Sequence, residues 1–406
     1  MPFEWFVALR YLRDGKGQSV LILAAISVGI AVVVFLSALI DGLQVSLIDK
    51  TLGSQAHVTL RLPRETPRAL VSASPERAIA RQVQVAAQRL RSIDQWPTVI
   101  AEVERMPGVT AVSPLVSGAA FAIRADAKAP IVVSGVDPER FLSIINLRAR
   151  LVLGHFDVSG SNVAIGSALA SYLGVTIGDK FRVTSSEGIE DTVVVAGVFS
   201  LGNKAIDETW LFASLRHAQS LYALPGGVTA IDLKVADVFA AERIAIAIQS
   251  RTGLRAESWM ARNSELLAGL SAQSGSKSLI EFFVVLAVAL GIASVLIVSV
   301  VQKSRQIGIL RAVGTSSGRI LAVFLIQGGV LGLVGAFLGC GLGAILAKLF
   351  EGMAREPGGA PRFPVALTPT LFASATALAT GIGLLAAVIP ARRAARMDPA
   401  TAIRSF

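Results

Sequence analysis

Cysteine is almost missing from this chain: among 406 residues Cys340 is the only one. A single thiol excludes an intrachain disulfide and any cysteine metal cluster, so the compartment has to be read from topology instead. Histidine is nearly as scarce. His57, His155 and His217 have no metal-type spacing, and His57 sits in a strand-like stretch where a satisfied structural role is expected. There is no H-E-x-x-H helix and no nucleophile elbow. The P-loop pattern G-x-x-x-x-G-K-[ST] is missing too: Gly314 to Arg319 lacks the glycine-lysine pair, and Gly275-Ser276-Lys277-Ser278 has an extra residue between glycine and lysine. The sequence supports no active site, and no cofactor or metal is expected.

Charge is also thin. Only 16% of residues are charged against 53% hydrophobic, and the mean hydropathy is +0.64, a balance that points to an integral membrane protein. The net charge of +10 raises the question of nucleic acid, which its distribution answers. Residues 1–19, 302–319 and 390–406 hold eleven basic against three acidic residues, and the rest of the chain is nearly neutral. Basic residues gathered at the ends of apolar runs follow the positive-inside bias, whereas a nucleic-acid reader carries them on a folded face. No nucleic-acid partner is expected.

Residues 1–19 read as a cytoplasmic arm with Arg10, Arg13 and Lys16 close to the first apolar run, Val20 to Ile40. Its 21 uncharged residues are enough to cross a hydrocarbon core of roughly 30 Å. A cleaved signal peptide fits less well, because the run exceeds a typical apolar core of such a peptide and no small-x-small site precedes Asp41. Three further spans are expected at 279–301, 321–346 and 370–389, with an outer loop at 347–369 and a cytoplasmic tail at 390–406 that Pro390 opens. Glu281, near the outer end of the second span, is expected to snorkel to water. The third span carries Gly328, Gly332, Gly335, Gly339 and Gly343. Spacings of four put small residues on one face, so these glycines are expected to let a neighbouring helix approach closely.

Residues 41–278 have no run of spanning length and mix both signs of charge, 24 Lys and Arg against 22 Asp and Glu. They predict an extracytoplasmic α/β domain inserted between helices 1 and 2 and large enough to bury its own core. Strand, helix, strand is expected at His57 to Leu60, Thr98 to Met106 and Thr110 to Val116, and again at Ala230 to Val235, Val238 to Ser250 and Leu254 to Trp259. A middle region of about 138–225, rich in Gly and Asp turns, separates the halves. Residues 63–97, with four prolines around a helix-like Glu76 to Arg91, read as an added surface segment.

Between the second and third runs lies Gln302 to Ile320, where Lys303, Arg305, Arg311 and Arg319 are the only charges. Four cations beside two candidate spans place it in the cytoplasm. Ile307-Gly308-Ile309-Leu310 among them is too short to cross a bilayer and too exposed to form a core, which marks it as a docking element, the alternative being a loop held against the chain's own helix ends. The pattern K-S-R-Q-I-G-I-L-R-A-V-G, Lys303 to Gly314, resembles the coupling segment of ABC transporter permeases of the MacB, FtsX and lipoprotein-releasing type. Pro390 to Arg404, P-A-R-R-A-A-R-M-D-P-A-T-A-I-R, resembles the same family's closing motif.

The resemblance covers nearly the whole chain and implies a membrane α-helical protein of four transmembrane helices in the inner membrane, both termini cytoplasmic. It implies contact with an ABC ATPase, two copies expected, through Lys303, Arg305, Gln306, Ile307, Gly308, Ile309, Leu310, Arg311 and Gly314. Gln306 stands where the family usually has an acidic residue, which removes the carboxylate a salt bridge there would need. Further partners implied are a second permease subunit, identical or not, membrane lipid, and a periplasmic adaptor or carrier protein. The implied role is mechanotransmission: ATPase motion passes to the extracytoplasmic domain for export or extraction of a lipid-linked or other hydrophobic substrate. The alternative is FtsX-type signalling to a cell-wall hydrolase. F-V-A-L-R-Y-L-R near the start, Ala38-Leu39-Ile40-Asp41-Gly42 and L-G-S-Q-A-H-V-T-L at 52–60 look most like the lipoprotein-releasing (LolC/LolE-like) permeases. One subunit type of those holds a lipoprotein carrier on a β-hairpin hook. Here only Ser185 to Asp191 is available at the aligned hairpin, too short for a hook, which weakens lipoprotein release and leaves MacB-like export with a periplasmic adaptor open.

Overall fold

Backbone polar groups in lipid have to be satisfied within their own segment, so the long apolar runs fold as helices. The computed structural model describes residues 3–63, 90–353 and 363–397. Most of the segment expected at 63–97, including Glu76, lies outside the described residues, as do Arg355, Glu356 and Arg362 of the outer loop and the end of the closing motif from Asp398. The chain divides into two compact units: residues up to Leu47 together with those from Ala268 on, and Ile48–Leu267.

The first unit is helical. We label its helices α1 (Phe3–Asp14), α2 (Lys16–Ser54), α3 (Ser264–Gln302), α4 (Ser304–Ala312), α5 (Ser317–Met353) and α6 (Pro369–Ala395). Among the described residues, α2, α3, α5 and α6 are long and apolar enough to cross a membrane. All four outrun the expected limits, α2 and α3 by the most. α2 continues 14 residues beyond Ile40, about 21 Å at 1.5 Å per residue, and α3 starts 15 residues before Leu279. A helix does not stop where its apolar run stops, because polar side chains can pair along it: Lys277 Nζ meets Asp41 Oδ1 at 2.8 Å and Gln44 Nε2 donates to Ser274 Oγ at 2.8 Å. The second unit, Ile48–Leu267, is accordingly shorter than the expected 41–278. Pro390 does not end the helix either; it lies buried inside α6, which runs on to Ala395.

The second unit is built on one ten-stranded mixed sheet. Its strands are β1 (Val58–Arg61), β2 (Val109–Arg124), β3 (Ala127–Val136), β4 (Leu151–Gly154), β5 (Asn162–Gly166), β6 (Lys180–Ser185), β7 (Glu190–Phe199), β8 (Trp210–Ser214), β9 (Ala230–Val235) and β10 (Arg255–Ser258). The order β10-β1-β9-β2 interleaves the two strand-helix-strand halves, whose helices are Trp96–Val103 and Ala241–Thr252, into a split β-α-β sheet. The middle region branches from the far half of β2 rather than from residue 138. β2 runs on to Arg124 and turns at Ala125, φ +48°, a position with no glycine or proline to signal it. From there β2-β3-β8-β5-β7 is joined by β6, which pairs with both β7 and β2 and so closes a six-stranded ring. Inward-pointing Val133, Val163, Ile165, Val183, Val193 and Leu211 are buried in the main core of this unit. Phe141, Phe156, Phe199 and Phe212 pack as a second, aromatic core.

Candidate functional site

The stretch between α3 and α5 is a helix, not an open loop. α4 ends in a Schellman arrangement: the Thr315 amide donates to Leu310 O at 3.1 Å and the Gly314 amide to Arg311 O at 3.0 Å. Gly314 has φ +101°, a conformation that side chains with a Cβ avoid, so its place in the motif is explained by stopping the helix.

At about 100° per residue α4 has two distinct faces. Ile307 is fully buried with Val300, Ile320, Phe324, Ala391 and Ala394, and Leu310 packs at the edge of that cluster beside Leu321 and Met397. Gly308 is buried on the same side. Arg311 donates through Nη1 to Met397 O, tying α4 to the segment after α6. Lys303 is buried as well: Nζ donates to Tyr11 O at 3.0 Å and stands 4.0 Å above the centre of the Tyr11 ring. Burial lowers the Lys303 pKa from the ordinary lysine value, while the charge of Asp14 works in the other direction. Lys303, Ile307, Gly308, Leu310 and Arg311 therefore pack against the chain's own helices, with Leu310 and Arg311 part-exposed at the edge. The reason is geometric: the ends of α3, α5 and α6 leave an apolar seat that a short amphipathic helix fills.

The opposite face is open. It presents Arg305, Gln306, Ile309 and Val313, with Ile309 48% and Val313 82% exposed. Val313 was not among the expected contact residues, although its spacing of four from Ile309 was the available signal. α1 is a second unforeseen part. Glu4 Oε1 lies 3.5 Å from Arg319 Nε, so with Tyr11 beneath Lys303 this helix touches both ends of the stretch.

The glycines of α5 divide between two neighbours. A Cβ on Gly328 would strike Gly383 O of α6, and one on Gly332 would lie 2.7 Å from Ala379 O. Gly335, Gly339 and Gly343 face α2 instead, with Ile26 Cγ2 at 2.6 Å, Ser27 O at 2.8 Å and Ala31 O at 2.9 Å from their respective Cβ positions. Ser27 Oγ also donates to Gly335 O at 3.3 Å. Three further close approaches were not singled out in the sequence: Gly383, which faces Gly328; Gly29, whose Cβ would meet Val288 Cγ2 at 2.5 Å; and Gly42, against Pro364 O.

In the second unit His57 is buried, and its Nδ1 accepts the Val235 amide at 3.2 Å. The turn Ser186 to Ile189 between β6 and β7 is tight, with the Ser185 amide bonded to Ile189 O at 2.9 Å and Gly188 at φ +81°. No projecting hairpin leaves the ring there. Among the described residues no group of three or more His, Cys, Asp or Glu could hold a metal ion.

Two family profiles match the chain, a MacB-like periplasmic core domain over residues 19–251 and an FtsX-like permease C-terminal region over residues 278–399. The lipoprotein-releasing system transmembrane protein LolC of Xylella fastidiosa is 24% identical, with 99% of each chain covered. LolC of Neisseria meningitidis serogroup B is 21% identical over the same shares. The macrolide export ATP-binding/permease protein MacB of Rhodopseudomonas palustris is 37% identical over 28% of this chain and 16% of its own length. Among solved structures, the periplasmic region of MacB from Actinobacillus actinomycetemcomitans overlaps 54% of this chain and 95% of its own, at 12% identity and a TM-score of 0.34.

Proposed function

The chain belongs to the family of ABC transporter permeases that join a MacB-like periplasmic core domain to an FtsX-like permease C-terminal region, and from this premise we propose that it is a non-catalytic mechanotransmission subunit. It is a multi-pass inner-membrane protein. In this reading a separate ABC ATPase, in two copies, grips α4, and a second permease subunit completes the assembly. The motion is delivered to the Ile48–Leu267 unit for export or extraction of a lipid-linked or other hydrophobic substrate. Similarity to LolC along the whole chain supports the lipid-linked class. The tight turn at 186–189 argues against a carrier held on that hairpin.

One observation carries the reading: α4 is seated by Ile307 and Leu310 while Ile309 and Val313 face outward beside Arg305. A short helix held rigidly on one side and apolar on the other can be gripped and can pass displacement to three spans at once. Burying Ile309 and Val313 in a partner groove contributes about 1.5–3 kcal/mol each. Arg305 at the rim sets orientation more than affinity.

Ile309→Asp and Val313→Asp, made separately, test this. Each variant is expected to insert and fold normally yet lose at least about tenfold in affinity for the ATPase, because the carboxylate enters an apolar groove without a partner. Ile307→Asp should fail differently, by unseating α4 and lowering the melting temperature of the permease alone. Full ATPase retention in both outer-face variants would remove the coupling role from α4.

A further inference from the structure

α1 has two faces with opposite demands. Its inner face packs Val7, Ala8 and Tyr11 against Val323 and Ile326 of α5, and Gln327 Nε2 donates to Ala8 O at 3.4 Å. The Glu4 to Arg319 ion pair and the Lys303 bond to Tyr11 O fix the helix against rotation. The outer face is thereby held outward. It carries Phe3, Trp5, Phe6 and Leu9, with Trp5 44% and Phe6 58% exposed, and among them the exposed cations Arg10 and Arg13. Four large apolar side chains on a helix of 12 residues would forgo their burial energy if that face met water. Only Gly15 separates α1 from α2, one of the candidate membrane spans, so the outer face stands at the membrane boundary.

The charge pattern says which boundary component fits. Among the described residues neither Arg10 nor Arg13 has an ion-pair partner. Of the two acids of the helix, Glu4 is engaged with Arg319, and among the described residues Asp14 forms no ion pair with either arginine. Aromatic and aliphatic side chains with guanidinium groups among them match an interfacial helix on an anionic lipid surface, the rings at the acyl boundary and the cations at phosphate. We propose that the outer face of α1 binds anionic phospholipid, with Arg10 and Arg13 on the headgroup phosphates and Trp5, Phe6 and Leu9 in the acyl boundary. A protein groove would have to match an apolar surface and two cations together; a leaflet supplies both without further specificity.

Trp5 provides the readout. The full chain is placed in nanodiscs of equal parts phosphatidylcholine and phosphatidylglycerol, with brominated acyl chains on one lipid and then on the other. The Trp5 signal is the difference between wild type and Trp5→Phe. Both labels are expected to quench it, and brominated phosphatidylglycerol should quench several-fold more than brominated phosphatidylcholine. Arg10→Gln with Arg13→Gln should equalise the two while quenching persists. Both positions are exposed and touch none of the contacts that seat α1, so the variant keeps the helix in place, which its unchanged melting temperature would verify. Trp5 unquenched by either lipid would mean that protein covers this face and would overturn the proposal. Equal quenching by the two lipids in wild type, or a preference that survives the glutamine pair, would overturn it as well.

Discussion

His57 shows how a single buried side chain sets a pH window. Burial pushes its pKa below the ordinary value, the Val235 carbonyl works in the other direction, and the Lys234 charge adds to the lowering. The unfolded chain therefore takes up a proton near pH 6.5 that the folded chain refuses until a lower pH. Stability from this group is full above about pH 6.5 and falls as the pH drops towards the lowered folded value. Thermal unfolding of the full chain, followed by the tryptophans of the second unit, is expected to come at lower temperature at pH 5.5 than at pH 7.5. His57→Gln should shrink that difference, and an unchanged difference would show that other groups carry it. That His57 has a structural place was legible from its strand-like setting. The separate fates of Ile307 and Ile309 were less so. Both are aliphatic residues in the same basic stretch, and only folding α4 against the ends of α3, α5 and α6 tells the buried one from the exposed one.

At the level of elements, the spacing of four along α5 made a close helix contact readable, because small residues in that rhythm share a stripe whatever the partner. Which partner could not be read: the stripe meets α6 at Gly328 and Gly332 and passes to α2 at Gly335, Gly339 and Gly343. The distinction leads to a graded prediction. Gly328→Ala puts a methyl against the Gly383 carbonyl, a backbone atom that cannot turn aside, and Gly335→Ala puts one against the branched Ile26. Each should lower stability by about 1–3 kcal/mol, as overpacking does, and Gly328→Ala should cost more. Gly341→Ala on the same helix meets nothing within 4 Å and should be neutral or stabilise by up to about 1 kcal/mol through helix propensity. Detergent melting curves of the three variants check the order. A loss at Gly341 as large as at Gly328 would mean that helix packing does not set the ranking. α1 escaped the sequence reading for a related reason, since a dozen residues with charges on both faces look like a solvated arm until Tyr11 is seen beneath Lys303.

For the molecule as a whole, the order of apolar runs already implied four spans with a large insertion after the first. The closed ring in that insertion was not legible, because β6 reaches β2 across some sixty residues of chain and no local pattern encodes such a pairing. Orientation rests on a physical bias that can be tested directly. The arm before α2, the stretch around α4 and the end of α6 hold the clustered cations, and four spans in series return all three to one side. The Ile48–Leu267 unit, nearly balanced in charge, is then expected on the other. In a Cys340→Ala background, Ser186→Cys marks the exposed turn of that unit and Ser317→Cys the start of α5, and both positions are open to solvent. An impermeant maleimide applied to intact spheroplasts is expected to label the first and not the second, and lysis should expose the second. Equal labelling before lysis would overturn the orientation, and with it the side from which an ATPase could reach Ile309 and Val313.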